Sequence, residues 1–443
     1  MKRFLNHRWP LKRKVELYPG MIPILGNLGW LFVDRTVRMA GGLFIMVWLA
    51  RYLGPDQFGR LNYAFAFAGL FGAVAGFELN GVVVRDLIRK PGSANETLGT
   101  AFVMQIFGGL IATGLIVTCI ALLRPEDVEM HWMVAILGLC FVFRASDVVK
   151  YWFESRIESR YTVWVESGTF LTIAAMKVVM ILQRAPLMGF IWIALAEAGF
   201  IAAGLLIMYD RKGARFNAWH WGRARARRLL KDSWPFILGG VAIMTYMRLD
   251  QIMLGEMLGP DAVGTYTAAV RISEVWYVAY VLIVSSVTPL ITKARYQDAE
   301  AYRQRLLQLY RLLIVLSVLI AIPMSFLSAP LIQLLYGDAY AKAGAVLAIH
   351  VWAGIPVALG IASSQALLLD DLQLYSFYRT LFGCILNVVL NLVLIPPFGI
   401  VGSAMATVIS FVAATFSLAL FPRCRPIILM MIESILPRRS QPS

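Results

Sequence analysis

Charge is what this chain has least of. Of its 443 residues 59% are hydrophobic and only 15% are charged, against roughly 25% charged in a soluble globular domain. Its mean hydropathy is +0.70, which excludes a water-soluble fold. Cysteine is scarce: Cys119, Cys140, Cys384 and Cys424 are scattered, form no C-x-x-C pair and lie mostly in apolar stretches. Neither a disulfide framework nor a thiolate zinc site is implied. The four histidines, His7, His131, His220 and His350, are isolated and lack ligand spacing. No Walker A sequence and no Gly-Lys dipeptide occurs, which argues against ATP-driven transport within the chain. The lack of an Asp-x-Asp motif weakens a metal-dependent sugar-nucleotide transferase. No cofactor and no metal is expected.

Long apolar runs are what the chain has in excess. Crossing the hydrocarbon core takes roughly 20 apolar residues. Twelve stretches qualify, at 28–50, 60–84, 97–123, 131–150, 161–182, 186–209, 234–255, 265–292, 309–327, 344–369, 374–395 and 399–421. They predict an all-α polytopic membrane protein of about twelve transmembrane helices. The first run is interrupted by Asp34, Arg35 and Arg38 and no small-residue cleavage site follows, so an uncleaved helix is expected rather than a signal peptide.

The net charge of +15 would suggest nucleic acid in a soluble protein, but its placement decides otherwise. With the N-terminus in the cytoplasm, only Arg51, Arg124, Arg184 and Lys342 fall in outside connectors. Residues 210–233 alone carry eight basic groups: Arg211, Lys212, Arg215, Arg223, Arg225, Arg227, Arg228 and Lys231. This is the asymmetry of the positive-inside rule, with both termini cytoplasmic. The basic excess is topological and no nucleic-acid partner is expected. The connector reads first as a solvated topology anchor and second as a lipid head-group site. The sequon Asn95-Glu96-Thr97 falls on the cytoplasmic side and is discounted.

An internal repeat divides the chain. Leu53-Gly54-Pro55-Asp56-Gln57-Phe58-Gly59 recurs as Leu258-Gly259-Pro260-Asp261-Ala262-Val263-Gly264, with five of seven positions identical. Gly-Pro ends one helix, Asp can cap the next and Gly permits a tight bend. A turn constraint alone could yield the match, but each copy follows the first helix of a six-span half. Six spans give both halves the same orientation, related by an axis along the membrane normal. The expected organisation is a cytoplasmic segment 1–27, an N-terminal bundle 28–209, a basic connector 210–233, a C-terminal bundle 234–421 and a cytoplasmic tail 422–443.

Ionisable residues inside spans carry the functional signal, since a charge at the bilayer centre costs roughly 2.5–3.5 kcal/mol on insertion scales and usually faces a protein-lined cavity. The first span holds Asp34, Arg35 and Arg38, the seventh Arg248 and Asp250, the eighth Arg271 and Glu274. Arg60, Glu78, Arg144, Asp147 and Glu166 read first as structural pairs or snorkelling residues near helix ends; Lys177 and Glu197 also lie in spans. Arg35, Arg38, Arg248 and Arg271 instead come from helices expected to line a central cleft, and arginine suits bidentate phosphate contact. A cationic cavity predicts an anionic cargo. The clusters Tyr151-Trp152-Phe153 and Trp276-Tyr277 could stack on sugars, but such clusters are more often interfacial or core.

At this point a family pattern is legible. The run from Trp30 to Arg38, followed by Ala50-Arg51-Tyr52-Leu53-Gly54-Pro55-Asp56-Gln57-Phe58-Gly59, resembles the opening of polysaccharide-transporter-type flippases. Residues 147–155, Leu335-Tyr336-Gly337-Asp338-Ala339-Tyr340, and the stretch from Asn387 to Pro396 with Gly399-Ile400-Val401-Gly402 are similar as well. The resemblance covers nearly the whole chain and places it in the multidrug/oligosaccharidyl-lipid/polysaccharide exporter superfamily. It implies two six-helix bundles around a central cavity, in a bacterial inner-membrane protein. The implied cargo is a polyprenyl-pyrophosphate-linked oligosaccharide, such as an O-antigen unit, moved from the cytoplasmic to the periplasmic leaflet.

The expected mechanism is alternating access. Arg35, Arg38, Arg248 and Arg271 would bind the pyrophosphate, with Asp34, Asp250 and Glu274 pairing with them when the cavity is empty or serving H+ or Na+ coupling. Polysaccharide polymerase or glycosyltransferase partners are conceivable. A drug or small-cation exporter of the same superfamily is the first alternative, disfavoured by the arginines. A glycan polymerase or ligase is the second, disfavoured because the longest outside connector, about 328–343, is short.

Overall fold

The computed structural model describes the backbone of residues 21–435 and the side chains of Arg38 and 41–435. Asp34 and Arg35 therefore lie outside the described side chains. Fifteen α-helices follow one another: α1 (Met21–Gly69), α2 (Gly72–Gly76), α3 (Asn80–Arg89), α4 (Ala94–Leu123), α5 (Val128–Phe143), α6 (Val148–Ser155), α7 (Arg160–Leu182), α8 (Leu187–Arg211), α9 (Arg223–Met257), α10 (Pro260–Gln297), α11 (Ala299–Tyr336), α12 (Ala343–His350), α13 (Gly354–Leu369), α14 (Gln373–Ser417) and α15 (Arg425–Ile435).

Among the described residues nine helices are long and apolar enough to cross a membrane, and a tenth span is a pair bent by 45° between Gly41–Gly69 and Gly72–Arg89. Two elements hold two spans each. α1 breaks at Gly54 (φ 71, ψ 170) and α14 at Gly399 (φ 60, ψ −137), just after Pro396 and Pro397. Counting the two parts of α1 and of α14 separately gives twelve spans among the described residues, as the hydropathy predicts. Gly54 and Gly259 (φ 89, ψ 180) adopt the same backbone, one essentially reserved for glycine. Each is followed by a proline that opens the next helix, where its missing N–H costs nothing.

The second span departs from the single helix expected over 60–84. It is interrupted at Leu70–Phe71 and again around Phe77 and Glu78, both at positive φ. Gly69, Gly72 and Gly76 fall within eight residues here, and each glycine weakens a helix by about 1 kcal/mol relative to alanine. Other boundaries shift too. The basic stretch from Arg223 is already the first turns of α9, and the segment after Phe421 contains α15. Between α11 and α12 only residues 337–342 remain, so the described residues contain no outer domain at that connector.

The buried apolar residues fall into three clusters. One joins both halves at the end that carries the repeats, running from Leu49, Phe58 and Tyr63 to Val263, Tyr266 and Tyr340. The other two are each built from a single half: one from Leu79, Leu98, Val149 and Tyr209 with Leu229 of α9, one from Tyr280, Leu306, Leu359 and Ile427. The molecule is thus cemented at the repeat end and parted into two cores toward the basic end. Tyr151, Trp152 and Phe153 lie in a core, with Trp152 ringed by Phe153 and Tyr209 at 4.9 Å each, so they are packing residues.

Candidate substrate cavity

The repeats make the closed end. A Cβ on Gly59 would lie 1.8 Å from the Pro260 carbonyl oxygen, and one on Gly264 would lie 2.0 Å from that of Pro55. Each copy is pressed onto the other at a distance only glycine allows. Side chains add to the seal. Arg124 donates to the Glu256 carboxylate at 2.8 Å and to Gly255 O at 2.9 Å. Tyr63 donates to Glu256 at 2.5 Å and Tyr340 to Ala50 O at 2.8 Å. Arg60 serves this end within its own half, at 2.9 Å from both Asp127 and Glu129. Burial works to raise the pKa of Asp127, but the Met130 N–H, Arg60 and Arg124 outweigh it and hold the carboxyl below its ordinary value.

Below this seal lies a cavity of about 380 Å³ between the halves. Its walls carry Arg248 from α9 and Arg271 from α10 on one side, Lys177 from α7 and Glu197 from α8 on the other, with Asn62 and Gln251 near the seal. Two of the four expected arginines therefore meet at one cavity. Arg248 has no hydrogen-bond or ion-pair partner among the described residues, and Arg271 has only Glu274, at 3.9 Å. Arg38 is engaged with Glu166 at 2.9 Å. Glu166 also takes Lys150 at 2.6 Å, and Lys150 takes Asp147 at 2.9 Å, a tight chain through the N-terminal half.

Asp250 faces neither Arg248 nor Arg271. It is 6% exposed and accepts from neutral donors only: Thr407 at 2.6 Å, Tyr266 at 2.9 Å and Asn391 at 3.1 Å. The Oδ1 of Asn391, beside this carboxylate, is buried without a partner among the described residues. Close by, His350 is hydrogen-bonded to Ser273 at 2.7 Å. Sequence reasoning missed Tyr266, Asn391 and Thr407. The usable signal was Asn387 and Asn391, amides at i,i+4 in an apolar span, which bond each other at 3.0 Å. The described residues contain no cluster of three or more His, Cys, Asp or Glu able to hold a metal.

The basic connector docks on the N-terminal half. Arg225 reaches Glu96 at 3.2 Å and Asp86 at 3.6 Å, Gly222 N–H donates to Thr100 at 3.0 Å, and Arg85 pairs with Asp232.

A family model described as polysaccharide biosynthesis protein matches residues 24–295, more than half of the sequence. The chain belongs to that family. A second model, MatE, matches residues 235–393. Two curated relatives from Haloferax volcanii are similar: "Probable flippase AglR", 33% identical over 38% of this chain and 36% of its own length, and "Probable low-salt glycan biosynthesis flippase Agl15", 25% identical over 43% and 40%. The matches span about two fifths of those relatives. Solved structures share the fold across most of the chain. An inward-facing multidrug-resistance MATE transporter of the MOP superfamily aligns with TM-score 0.72 and 14% identity, over 91% of this chain and 98% of its own. The lipid II flippase MurJ, in an inward closed conformation, aligns with TM-score 0.69 and 13% identity, over 91% and 90%. The family resemblance read from the repeat and its flanking residues holds, as does the all-α architecture of twelve spans in two bundles around a central cavity.

Proposed function

We propose that this chain is a flippase for a lipid-linked oligosaccharide bearing an anionic pyrophosphate, working by alternating access between bundles 28–209 and 234–421. The observation that carries the reading is Arg248, unpaired beside Arg271 in the wall of a cavity between the halves. A cation without an ion pair in a largely apolar wall is costly, and a pyrophosphate supplies counter-charge whose oxygens the planar guanidinium can take in bidentate fashion. Arg38 and Arg35 complete the site from the first span, while Asp34 and Glu274 temper the arginines between cargoes.

The basic end faces the cytoplasm in this reading, as the lysine and arginine distribution requires, and the membrane is a bacterial inner membrane. Cargo enters from the cytoplasmic leaflet, and outward passage requires the repeat seal to part. Each elementary charge crossing the field is worth about 2.3 kcal/mol per 100 mV, so an inside-negative potential favours export of the anion. Asp250 is the ion-coupling group: a buried carboxylate with an unpartnered amide oxygen beside it suits a proton or Na+. An O-antigen or other surface-polysaccharide repeat is the cargo class, and glycosyltransferases or a polymerase are the functional partners.

The MatE match over 235–393 favours a second reading, export of a drug or small cation, and one assay separates the two. In proteoliposomes, replacing Arg35, Arg38, Arg248 and Arg271 together by Ala should abolish flipping of a fluorescent polyprenyl-pyrophosphoryl saccharide. Undiminished flipping, or transport of an organic cation by the native protein with none of the lipid, overturns the flippase reading.

A further inference from the structure

A second cavity, of about 360 Å³, lies in the N-terminal half and shares Phe65, Gly69 and Glu197 with the walls of the central one. Its chemistry differs. Phe141 and Phe143 supply apolar faces, and Arg144, Lys150, Asp147 and Glu197 supply two charges of each sign. The central cavity, by contrast, is dominated by Arg248 and Arg271. Arg144 and Asp147 open and close a 3-10 turn, Arg144–Asp147, that interrupts the fourth span, a local irregularity of the kind that marks functional positions.

Two pairs at this side cavity and its shared wall are loose, while Lys150 is held to Asp147 at 2.9 Å. Arg144 stands 3.6 Å from Asp147 and Lys177 stands 3.8 Å from Glu197, whereas charge-assisted hydrogen bonds close to about 2.7–2.9 Å. The neighbouring Lys150–Glu166 contact is 2.6 Å. Arg144 and Glu197 thus keep donors and acceptors free toward the cavity.

We propose that this side cavity is the subsite for the first sugar of the cargo, and that this sugar is uncharged. The inference rests on the flippase reading, because the pyrophosphate held at Arg248 and Arg271 brings its attached sugar to the shared wall at Phe65 and Glu197. Carboxylates accept from sugar hydroxyls, arginine donates to ring and hydroxyl oxygens, and phenyl faces cover the C–H surface. A uronic acid would bring a carboxylate against Asp147 and Glu197, and a free amino sugar would bring a cation against Arg144 and Lys150. The balanced set favours a neutral hexose or N-acetylhexosamine.

The test compares binding of polyprenyl pyrophosphate with and without one neutral hexose to the full-length protein in nanodiscs. The sugar should improve affinity about tenfold, the scale of one or two hydrogen bonds to charged groups. Asp147→Asn and, separately, Arg144→Gln, both confined to the side cavity, should each erase most of that gain while leaving affinity for the bare pyrophosphate lipid unchanged. An unaltered gain in both variants overturns the subsite. Tighter binding of a uronic-acid conjugate than of the neutral one overturns the uncharged sugar. Failure of the native protein to bind the bare lipid overturns the underlying flippase reading instead.

Discussion

The two halves of this molecule handle charge in opposite ways. In the N-terminal half, Arg38, Glu166, Lys150 and Asp147 satisfy one another through contacts of 2.6–2.9 Å. In the C-terminal half, Arg248 has no hydrogen-bond or ion-pair partner among the described residues, and Asp250 is held only by the neutral Tyr266, Thr407 and Asn391. Partly buried ion pairs linked in a chain are costly to break, so Glu166, Lys150 and Asp147 brace their bundle and hold Arg38 in place until cargo arrives. An unpartnered cation and a carboxylate capped by neutral donors leave room for something to arrive. Stability is concentrated in one half and responsiveness in the other.

That contrast can be broken most directly by paired substitutions. Arg248→Gln should lower flipping on the order of a hundredfold, as expected for losing charged hydrogen bonds to phosphate, with the thermal midpoint in detergent unchanged. Lys150→Gln should do the reverse. It leaves Glu166 with Arg38 alone and Asp147 with Arg144 alone and should cost about 1.5–3 kcal/mol of stability, read as a lowered midpoint, while flipping of the bare pyrophosphate lipid per folded molecule is retained. If Arg248→Gln unfolds the protein and Lys150→Gln does not, the division fails.

A smaller effect sharpens the C-terminal side. Asp250→Asn keeps a polar group among Tyr266, Thr407 and Asn391, so folding should survive. The response of transport rate to an imposed proton or Na+ gradient should vanish, measured by flipping with and without the gradient. The smallest effect concerns the seal. Arg124→Ala removes the contact with Glu256, a partly exposed pair worth about 1 kcal/mol or less. It should raise maleimide labelling of a Gln251→Cys reporter from the repeat side a few-fold. Unchanged labelling would leave the seal to the Gly59 and Gly264 contact with Tyr63 and Tyr340.

Much of this was legible in the residues. Apolar length alone yields the twelve spans, and the Gly-Pro-Asp repeat marks where each half turns. Arg248 and Arg271 stood out because arginine is costly in a span, and they share a cavity. The partners of Asp250 did not stand out, because Tyr266, Thr407 and Asn391 are neutral and ordinary in a helix and come from α10 and α14. The link from Lys150 to Glu166 crosses between α6 and α7, and no spacing rule reaches across two helices that are not yet packed. The break in the second span was hidden by its apolar run, although three glycines stood within it.

The mutual press of Gly59 on Pro260 and Gly264 on Pro55 has one more consequence. Each copy of the repeat sets the clearance for the other, so a single added methyl on either side jams the same joint. The likeness between residues 53–59 and 258–264 is therefore a fit between mating surfaces as much as a kinship between halves, and a change tolerated in one copy must first be tolerated by its twin.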